Sequence, residues 1–131
     1  MTNKKIISTA AAPAAIGPYS QAVQVGSFVF CSGQIPLDPT TMEIVSGGIE
    51  AQAVRVLDNM RAVAEAAGVQ LQDAVKLTIF LTALADFGIV NETMKRYFDA
   101  PYPARSTVQV SALPKGANIE IEATLALPPQ A

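Results

Sequence analysis

The sequence predicts an α+β fold, with a mostly antiparallel sheet and two helices packed on one face of it. Three observations predict this fold. Two stretches have apolar residues at helical spacing, several short β-branched runs are bounded by turn residues, and the order along the chain is strands, helix, strand, helix, strands. With 131 residues, no long linker and no low-complexity block, the chain is expected to form one domain over residues 1–131.

The first part of the chain predicts three strands and two loops. Residues 5–9 can form a short edge strand, and residues 10–18 are expected to be an extended loop because they contain Pro13, Gly17 and Pro18. Residues 21–33 predict two strands around a hairpin turn at Gly26-Ser27. Residues 35–48 carry further prolines and a Gly-Gly pair, which predicts a loop with a small hairpin.

Two helices are predicted from apolar residues that recur every three or four positions. Gly68 is expected to end the first helix, and Asp86 is expected to cap the second, which Pro101 and Pro103 terminate. The stripe of the first helix comprises Ile49, Ala53, Val56, Met60, Val63 and Ala67. The stripe of the second comprises Phe87, Val90, Met94 and Tyr97 or Phe98.

Three further strands complete the predicted sheet. Residues 74–82 are β-branched and nearly all apolar, which is typical of a central strand covered on both faces. The last two strands lie in "YPARSTVQVSALPKGANIEIEATLAL", where "LPKGA" joins them, and we expect them to pair as a hairpin.

The composition indicates a second buried surface. Charged residues make up 15% of the chain, against roughly 25% in a typical soluble domain, and hydrophobic residues make up 50%. Helices on one face of a sheet leave the other face uncovered. We therefore favour a homo-oligomer in which this face packs against another subunit. A monomer with an alanine-rich core is the alternative.

Several classes of function are disfavoured by what the chain contains. The net charge of −2 and the lack of a basic run argue against nucleic-acid binding. The chain has no histidine and one cysteine, so a zinc site and a thiolate–imidazole pair are not expected, and no motif implies a cofactor. Cys31 follows an apolar strand and is expected to be a buried, inert thiol.

The membrane and the secretory pathway are disfavoured as well. No run reaches ~18 apolar residues, and residues 1–15 lack the apolar core of a signal peptide. We expect a cytoplasmic protein.

Arg105 and Glu120 are the charges that the closing strands place among apolar residues. Side chains alternate between the faces of a strand. If the two strands pair as a hairpin with their apolar sets on the core side, both residues lie on the face away from the helices. One interpretation is a solvated sheet face with a cross-strand ion pair. The other is a cleft in which arginine binds a carboxylate through two parallel hydrogen bonds and glutamate handles a proton or holds a water.

Four other residues are weaker candidates for a site. Tyr19 follows Gly17-Pro18 in the first loop, and a loop tyrosine most often serves packing. Ser32 and Gly33 end a strand, where a turn is the simpler interpretation, although an exposed N–H beside a glycine can donate a hydrogen bond. Asn91 lies on the second helix and is most often solvated.

The motifs together resemble the RidA (YjgF) family of reactive-intermediate deaminases. Those that carry the resemblance are "APAAIGPYSQAV", "SGQIP", "VNETMKRYF", "PARSTVQV" and "LPKGANIEIEA", in order and spread over nearly the whole chain. The resemblance implies a chorismate-mutase-like fold, a homotrimer with a site in each cleft between subunits, and no cofactor. It also implies hydrolysis of 2-enamine or 2-imino acids to 2-keto acids and ammonia.

The resemblance further implies a role for each candidate residue. Arg105 of "PARS" would bind the substrate carboxylate, and Glu120 of "IEIEA" would position or activate the attacking water. Tyr19 would close the cleft from another subunit, Ser32 and the Gly33 backbone would line it, and Asn91 would contribute to it. Thr107 would also contact the substrate. It stands where many members have a cysteine, which puts the substrate preference in question and excludes thiol-based redox control at this position.

Three other functions stay open at this point. A non-catalytic protein that binds a 2-keto acid or related metabolite would use the same Arg105, but Glu120 beside an anion site favours catalysis. An RNA-cleaving protein, an activity included in the wider family, is disfavoured by the charge and by the lack of histidine. A chorismate-mutase-type isomerase binds a dianion, for which one arginine is too few.

Overall fold

Six strands and two helices make up the part of the chain that the computed structural model describes, residues 3–129. In chain order they are β1 (Lys4–Ile7), β2 (Ala22–Val25), β3 (Phe28–Gln34), α1 (Ile49–Ala66), β4 (Ala74–Leu81), α2 (Phe87–Met94), β5 (Ala104–Gln109) and β6 (Ile119–Ala126). The strands form one sheet in the order β1-β2-β3-β6-β4-β5. All neighbours are antiparallel except β4 and β5, which are parallel and connected through α2. The predicted α+β architecture is therefore correct.

The two helices cover one face of the sheet with the stripes that their spacing predicts. Val56, Met60 and Val63 of α1 are completely buried, and such a side chain contributes roughly 1.5–3 kcal/mol through removal from water. Gly68 follows the end of α1 with a φ of 81°, a conformation that glycine adopts without strain. In α2, Val90 and Met94 are buried, and Phe98 just beyond the helix is buried with them.

Asp86 stands immediately before α2, as predicted, but its side chain makes no capping hydrogen bond. A turn of 3-10 helix over Leu84–Asp86 leads directly into α2, so Asp86 already has a helical backbone (φ −80°, ψ −7°). A capping side chain normally requires an extended backbone at this position. The chain therefore starts α2 from a preceding turn instead of from a side-chain cap.

The hairpin expected between the last two strands is absent, because β6 lies between β3 and β4 and makes no pair with β5. The crossover through α2 brings β5 back parallel to β4, at the edge of the sheet. Leu77 is opposite Arg105, and Leu77 points to the helices, so Arg105 points to the helix side too. Phe80 is opposite Glu120 on the other face. The prediction that Arg105 and Glu120 share a face is therefore wrong, because it depended on the hairpin.

The face of the sheet away from the helices, here called the open face, carries no helix and is left partly exposed by the described part of the chain. Phe28 and Phe30 of β3 are 46% and 49% exposed there, and Val108 of β5 is 43% exposed. This agrees with the predicted uncovered face. It also corrects the expectation that β4 is covered on both sides, since its alternate residues Lys76, Thr78 and Phe80 belong to the open face.

Neither helix in the described part of the chain is long and apolar enough to cross a membrane.

Candidate active site

The predicted site residues fall into two cavities, one associated with each face of the sheet. Tyr19, Ser32, Gly33 and Glu120 line the first, a cavity of about 660 Å³ that also contains Glu122 and Lys115 and is here called the carboxylate cavity. Asn91 and Arg105 line the second, of about 360 Å³, with Met94, Lys95, Phe98, Tyr102 and Pro103; it is here called the arginine cavity. Thr107 lines neither cavity.

Glu120 reaches into the carboxylate cavity because the neighbouring strand makes room for it. The pairing of β3 with β6 shifts register between Cys31 and Gln34, at the point where Ser32 and Gly33 lie. A Cβ atom built on Gly33 would be 2.8 Å from Cδ of Glu120, which is closer than van der Waals contact allows. The glycine and the irregular pairing together give the Glu120 side chain its place against the backbone of β3.

The loop that carries Tyr19 is held to the sheet by hydrogen bonds. Ser32 Oγ donates to the Ser20 carbonyl at 2.6 Å, and Ser32 N donates to the Gln21 carbonyl at 2.9 Å. The hydroxyl of Ser32 thus orders the loop. Tyr19 lines the cavity and is 53% exposed.

Gln21 is the buried anchor of the same loop, and sequence reasoning did not identify it. Its Nε2 donates to the Pro13 carbonyl at 2.7 Å and to the Thr9 carbonyl at 3.0 Å, while its Oε1 accepts from Thr9 N at 2.7 Å. These bonds satisfy backbone groups that the proline-rich segment cannot pair within itself. A glutamine between a loop and an apolar strand is only a weak signal of such a role.

The electrostatics of the carboxylate cavity favour a protonatable Glu120. Burial raises the pKa of the Glu120 carboxyl above its usual range, and the negative charge of Glu122, two residues away on the same face of β6, raises it further. Among the described residues that line this cavity, Lys115 is the one cation. Glu122 and Lys115 were not predicted, although the alternation of "IEIEA" already puts Glu122 on the face of Glu120.

Arg105 is held firmly in the arginine cavity by α2. Its Nη1 donates to Asn91 Oδ1 at 2.7 Å and contacts Met94 Sδ at 3.8 Å. The guanidinium carbon lies 4.9 Å from the centre of the Phe87 ring, within the range of a cation–π contact. Its other nitrogens form no hydrogen bond with residues 3–129, so one edge of the guanidinium can receive a carboxylate.

Thr107 lies on the Arg105 face of β5, opposite Ile79. Its Oγ1 is buried and has no hydrogen-bond partner among the described residues. Cys31, by contrast, is a buried thiol whose pKa burial raises to about 12, so it is not ionised at neutral pH and has the properties of an inert thiol.

Within one chain the sheet separates Arg105 from Glu120. A site that uses both residues would have to combine the arginine cavity of one chain with the carboxylate cavity of another. Residues 3–129 contain no group of three or more histidine, cysteine, aspartate or glutamate side chains that could hold a metal ion.

Comparison with known proteins identifies relatives over nearly the whole chain. The profile of the family described as Endoribonuclease L-PSP matches residues 9–127. A 2-iminobutanoate/2-iminopropanoate deaminase of Dermatophagoides farinae is 50% identical over 127 residues, which are 97% of this chain and 99% of the relative.

Two solved structures illustrate the agreement in fold. RidA from an Antarctic Psychrobacter is 50% identical with a TM-score of 0.91, over 94% of this chain and 99% of that one. TdcF of E. coli with bound serine is 49% identical with a TM-score of 0.90, over 95% and 99%. The chain therefore belongs to the Endoribonuclease L-PSP family, the RidA (YjgF) family that its motifs resemble.

Proposed function

We propose that the protein is a hydrolytic deaminase that converts reactive 2-enamine and 2-imino acids, such as 2-aminoacrylate and 2-iminopropanoate, to 2-keto acids and ammonia. The observation that carries the proposal is the pair of half-sites: a guanidinium held by α2 with one edge open, and a carboxyl whose pKa is raised by burial. The deaminase named among the relatives is 50% identical over 97% of this chain, which supports the same reaction here.

The reaction needs little beyond placement of the substrate and one water. The enamine tautomerises to the imine in water. Arg105 binds the substrate carboxylate through two parallel hydrogen bonds, which fixes the C=N carbon in position. Glu120 accepts a proton from the water as its oxygen bonds to that carbon, and protonation of the nitrogen lets ammonia leave. The sum is imine plus water giving keto acid plus ammonia, with no change in oxidation state and no role for a cofactor.

The remaining predicted residues complete the cleft in this proposal. Tyr19 closes it from the neighbouring subunit, and the Gly33 backbone lines it beside Glu120. Ser32 acts through the loop that it holds. Asn91 acts through Arg105, to which it is bonded. Thr107 remains a proposed substrate contact, and it reaches the substrate only if assembly opens a path to its hydroxyl.

A homotrimer with sites between subunits is part of the proposal. Arg105 and Glu120 belong to opposite faces of the sheet in one chain, and the open face exposes Phe28, Phe30 and Val108. A second copy can cover these side chains and bring its arginine cavity to the carboxylate cavity. The family resemblance supports three as the number of subunits. A cytoplasmic location also remains a prediction.

The test is the hydrolysis of freshly generated 2-aminoacrylate, with pyruvate and ammonia release measured against the uncatalysed rate. Arg105→Ala and Glu120→Gln should each lose most of this activity. If the two residues come from different subunits, co-expressed Arg105→Ala and Glu120→Gln chains should regain activity, because an Arg105→Ala chain still supplies Glu120 and its neighbour still supplies Arg105. Random assembly gives intact sites at about a quarter of the interfaces.

Two results would contradict different parts of the proposal, the reaction and the site shared between subunits. Release of ammonia at the uncatalysed rate by the unsubstituted protein would reject the deaminase. Activity of the co-expressed pair no higher than that of each variant alone would place the two residues in the same chain's site or in no common site.

A non-catalytic protein that binds a 2-keto acid or related metabolite is the second candidate. The solved relative with bound serine favours it, because that structure holds a small amino acid. Tight binding of pyruvate without any acceleration of imine hydrolysis would identify this function.

Nucleic acid and membrane are not expected partners. The carboxylate cavity contains two carboxylates, which repel phosphates.

A further inference from the structure

Lys115 stands at the rim of the carboxylate cavity with a backbone conformation that lysine rarely adopts. Its φ is 58°, and Met42 has a φ of 61°; within residues 3–129 these are the two non-glycine residues with positive φ. Both line the carboxylate cavity. Lys115 Nζ donates a hydrogen bond of 3.4 Å to the Met42 carbonyl, although 73 residues separate them along the chain. Because a left-handed backbone is unfavourable for any residue with a Cβ, this pair requires an explanation.

Local structure does not supply the explanation. The turn Pro114–Gly116 needs a positive φ at position 115, and glycine would adopt it with no steric cost. In this strained conformation the lysine side chain makes one long hydrogen bond and stays exposed. A hydrogen bond of this length at an exposed site stabilises a fold only weakly. A cationic side chain at this position is better explained by its effect on the cavity.

The charges of the cavity indicate what that effect is. Glu120 and Glu122 contribute two carboxylates, and Lys115 is the one cation among the described lining residues. An anionic substrate that approaches two carboxylates is repelled unless a positive charge lies near its path. Arg105 of the same chain belongs to the other face of the sheet. In the proposed assembly, Arg105 of a neighbouring chain adds a second positive charge, and Lys115 is the one that this chain's own cavity supplies. The lysine ammonium is a point charge on a flexible stem, which can turn from the Met42 carbonyl towards an anion.

We infer that Lys115 is a substrate-binding residue of the carboxylate cavity, which captures the carboxylate of the entering 2-imino or 2-keto acid and is distinct from Arg105. The inference rests on the proposed function for the class of substrate. Lys115 takes no part in bond making. Its contribution is therefore expected in the affinity for the acid and in the rate of its entry, and it should weaken as salt screens the charge.

The experiment compares four variants by calorimetric binding of pyruvate at two salt concentrations and by steady-state hydrolysis of 2-iminopropanoate, which gives kcat and KM separately. Lys115→Met keeps the length and the backbone strain but removes the charge, and it should raise the Kd and the KM about tenfold with kcat unchanged. Lys115→Arg should stay within about threefold of the unsubstituted protein. Lys115→Gly should bind as poorly as Lys115→Met but unfold at a higher temperature. Lys5→Met, in β1, is the control for loss of a surface charge and should leave binding unchanged.

Pyruvate binding tests the role of Lys115 and imine hydrolysis tests the proposed function, so either can fail without the other. Pyruvate binding by Lys115→Met that equals the unsubstituted protein in affinity and salt dependence overturns the role of Lys115, even if imine hydrolysis is normal. Binding that depends on Lys115, in a protein that releases no ammonia from the imine, rejects the deaminase and retains the anion-capturing lysine. Absence of pyruvate binding by the unsubstituted protein overturns the inference.

Discussion

At the scale of single residues, the position of the Glu120 carboxyl depends on a missing methyl group. Gly33 leaves space beside β3 that the end of the Glu120 side chain fills. The contacted atoms belong to the tip of a flexible side chain, so a methyl group at position 33 would displace the carboxyl without breaking the backbone pairing around it. The glycine is therefore expected to matter more for activity than for stability.

Gly33→Ala tests this expectation. The displaced Glu120 carboxyl should no longer reach the water, and imine hydrolysis should fall by about tenfold or more, which is ~1.4 kcal/mol of transition-state stabilisation. The thermal midpoint should change little. Gly88→Ala in α2 is the matched control, because a Cβ there meets nothing within 4 Å and the residue lines neither cavity. Equal activities of the two variants would mean that the position of Glu120 is not set by Gly33.

Glu122 gives a second prediction, on the pH dependence of the reaction. If Glu120 accepts a proton from water, kcat/KM should rise with pH through the pKa of Glu120, which lies above its usual range because of burial and then because of Glu122. Glu122→Gln removes the second cause, so the pKa falls and the acidic limb of the profile should move to lower pH. The pKa of Glu120 in this variant should remain above that of an exposed glutamate, because its carboxyl is still buried.

The control for this profile is Glu65→Gln, which removes a carboxylate from the exposed surface of α1 and should leave the limb in place. If the acidic limb of the kcat/KM profile does not move in Glu122→Gln, the group that titrates there is not Glu120.

At the scale of elements, local patterns predicted which segments become strands and helices but not how the last two strands connect. The stripe of α1, the stop at Gly68 and the turn at Gly26-Ser27 are local features, and each is found where it was predicted. The placement of β6 between β3 and β4 is a long-range choice. It depends on which strands leave an edge for β6 to pair with, and alternation along one strand carries no information about that.

The wrongly predicted hairpin between the last two strands also limited what could be predicted about the site. The residue types were identified from the sequence, and the motifs that they belong to carried the family resemblance. Their division between two faces was not predicted, because the shared face followed from the hairpin. Gln21 and Lys115 were missed because each acts through a neighbour that is distant in the sequence. Glu122 was missed although alternation along β6 already places it on the face of Glu120.

At the scale of the whole molecule, the open face must be covered if the proposed site is to form. The aromatic rings of Phe28 and Phe30 lie side by side on this face with centroids 6.4 Å apart, and both are about half exposed. Apolar area of this kind favours association, at roughly 25 cal/mol per Å² removed from water. The low charge content of the chain fits the same expectation.

We therefore expect light scattering at micromolar concentration to give three times the mass of the chain. Phe30→Glu places a charge on the surface that association would bury, so this variant should be smaller than a trimer and should lose imine hydrolysis. Ile89→Glu introduces the same charge on an equally exposed apolar residue of α2, away from the open face, and should remain trimeric and active. A trimeric, active Phe30→Glu protein would assign the interface to another surface. A monomer mass for the unsubstituted protein would reject the trimer and, with it, any site that joins Arg105 of one chain to Glu120 of the next.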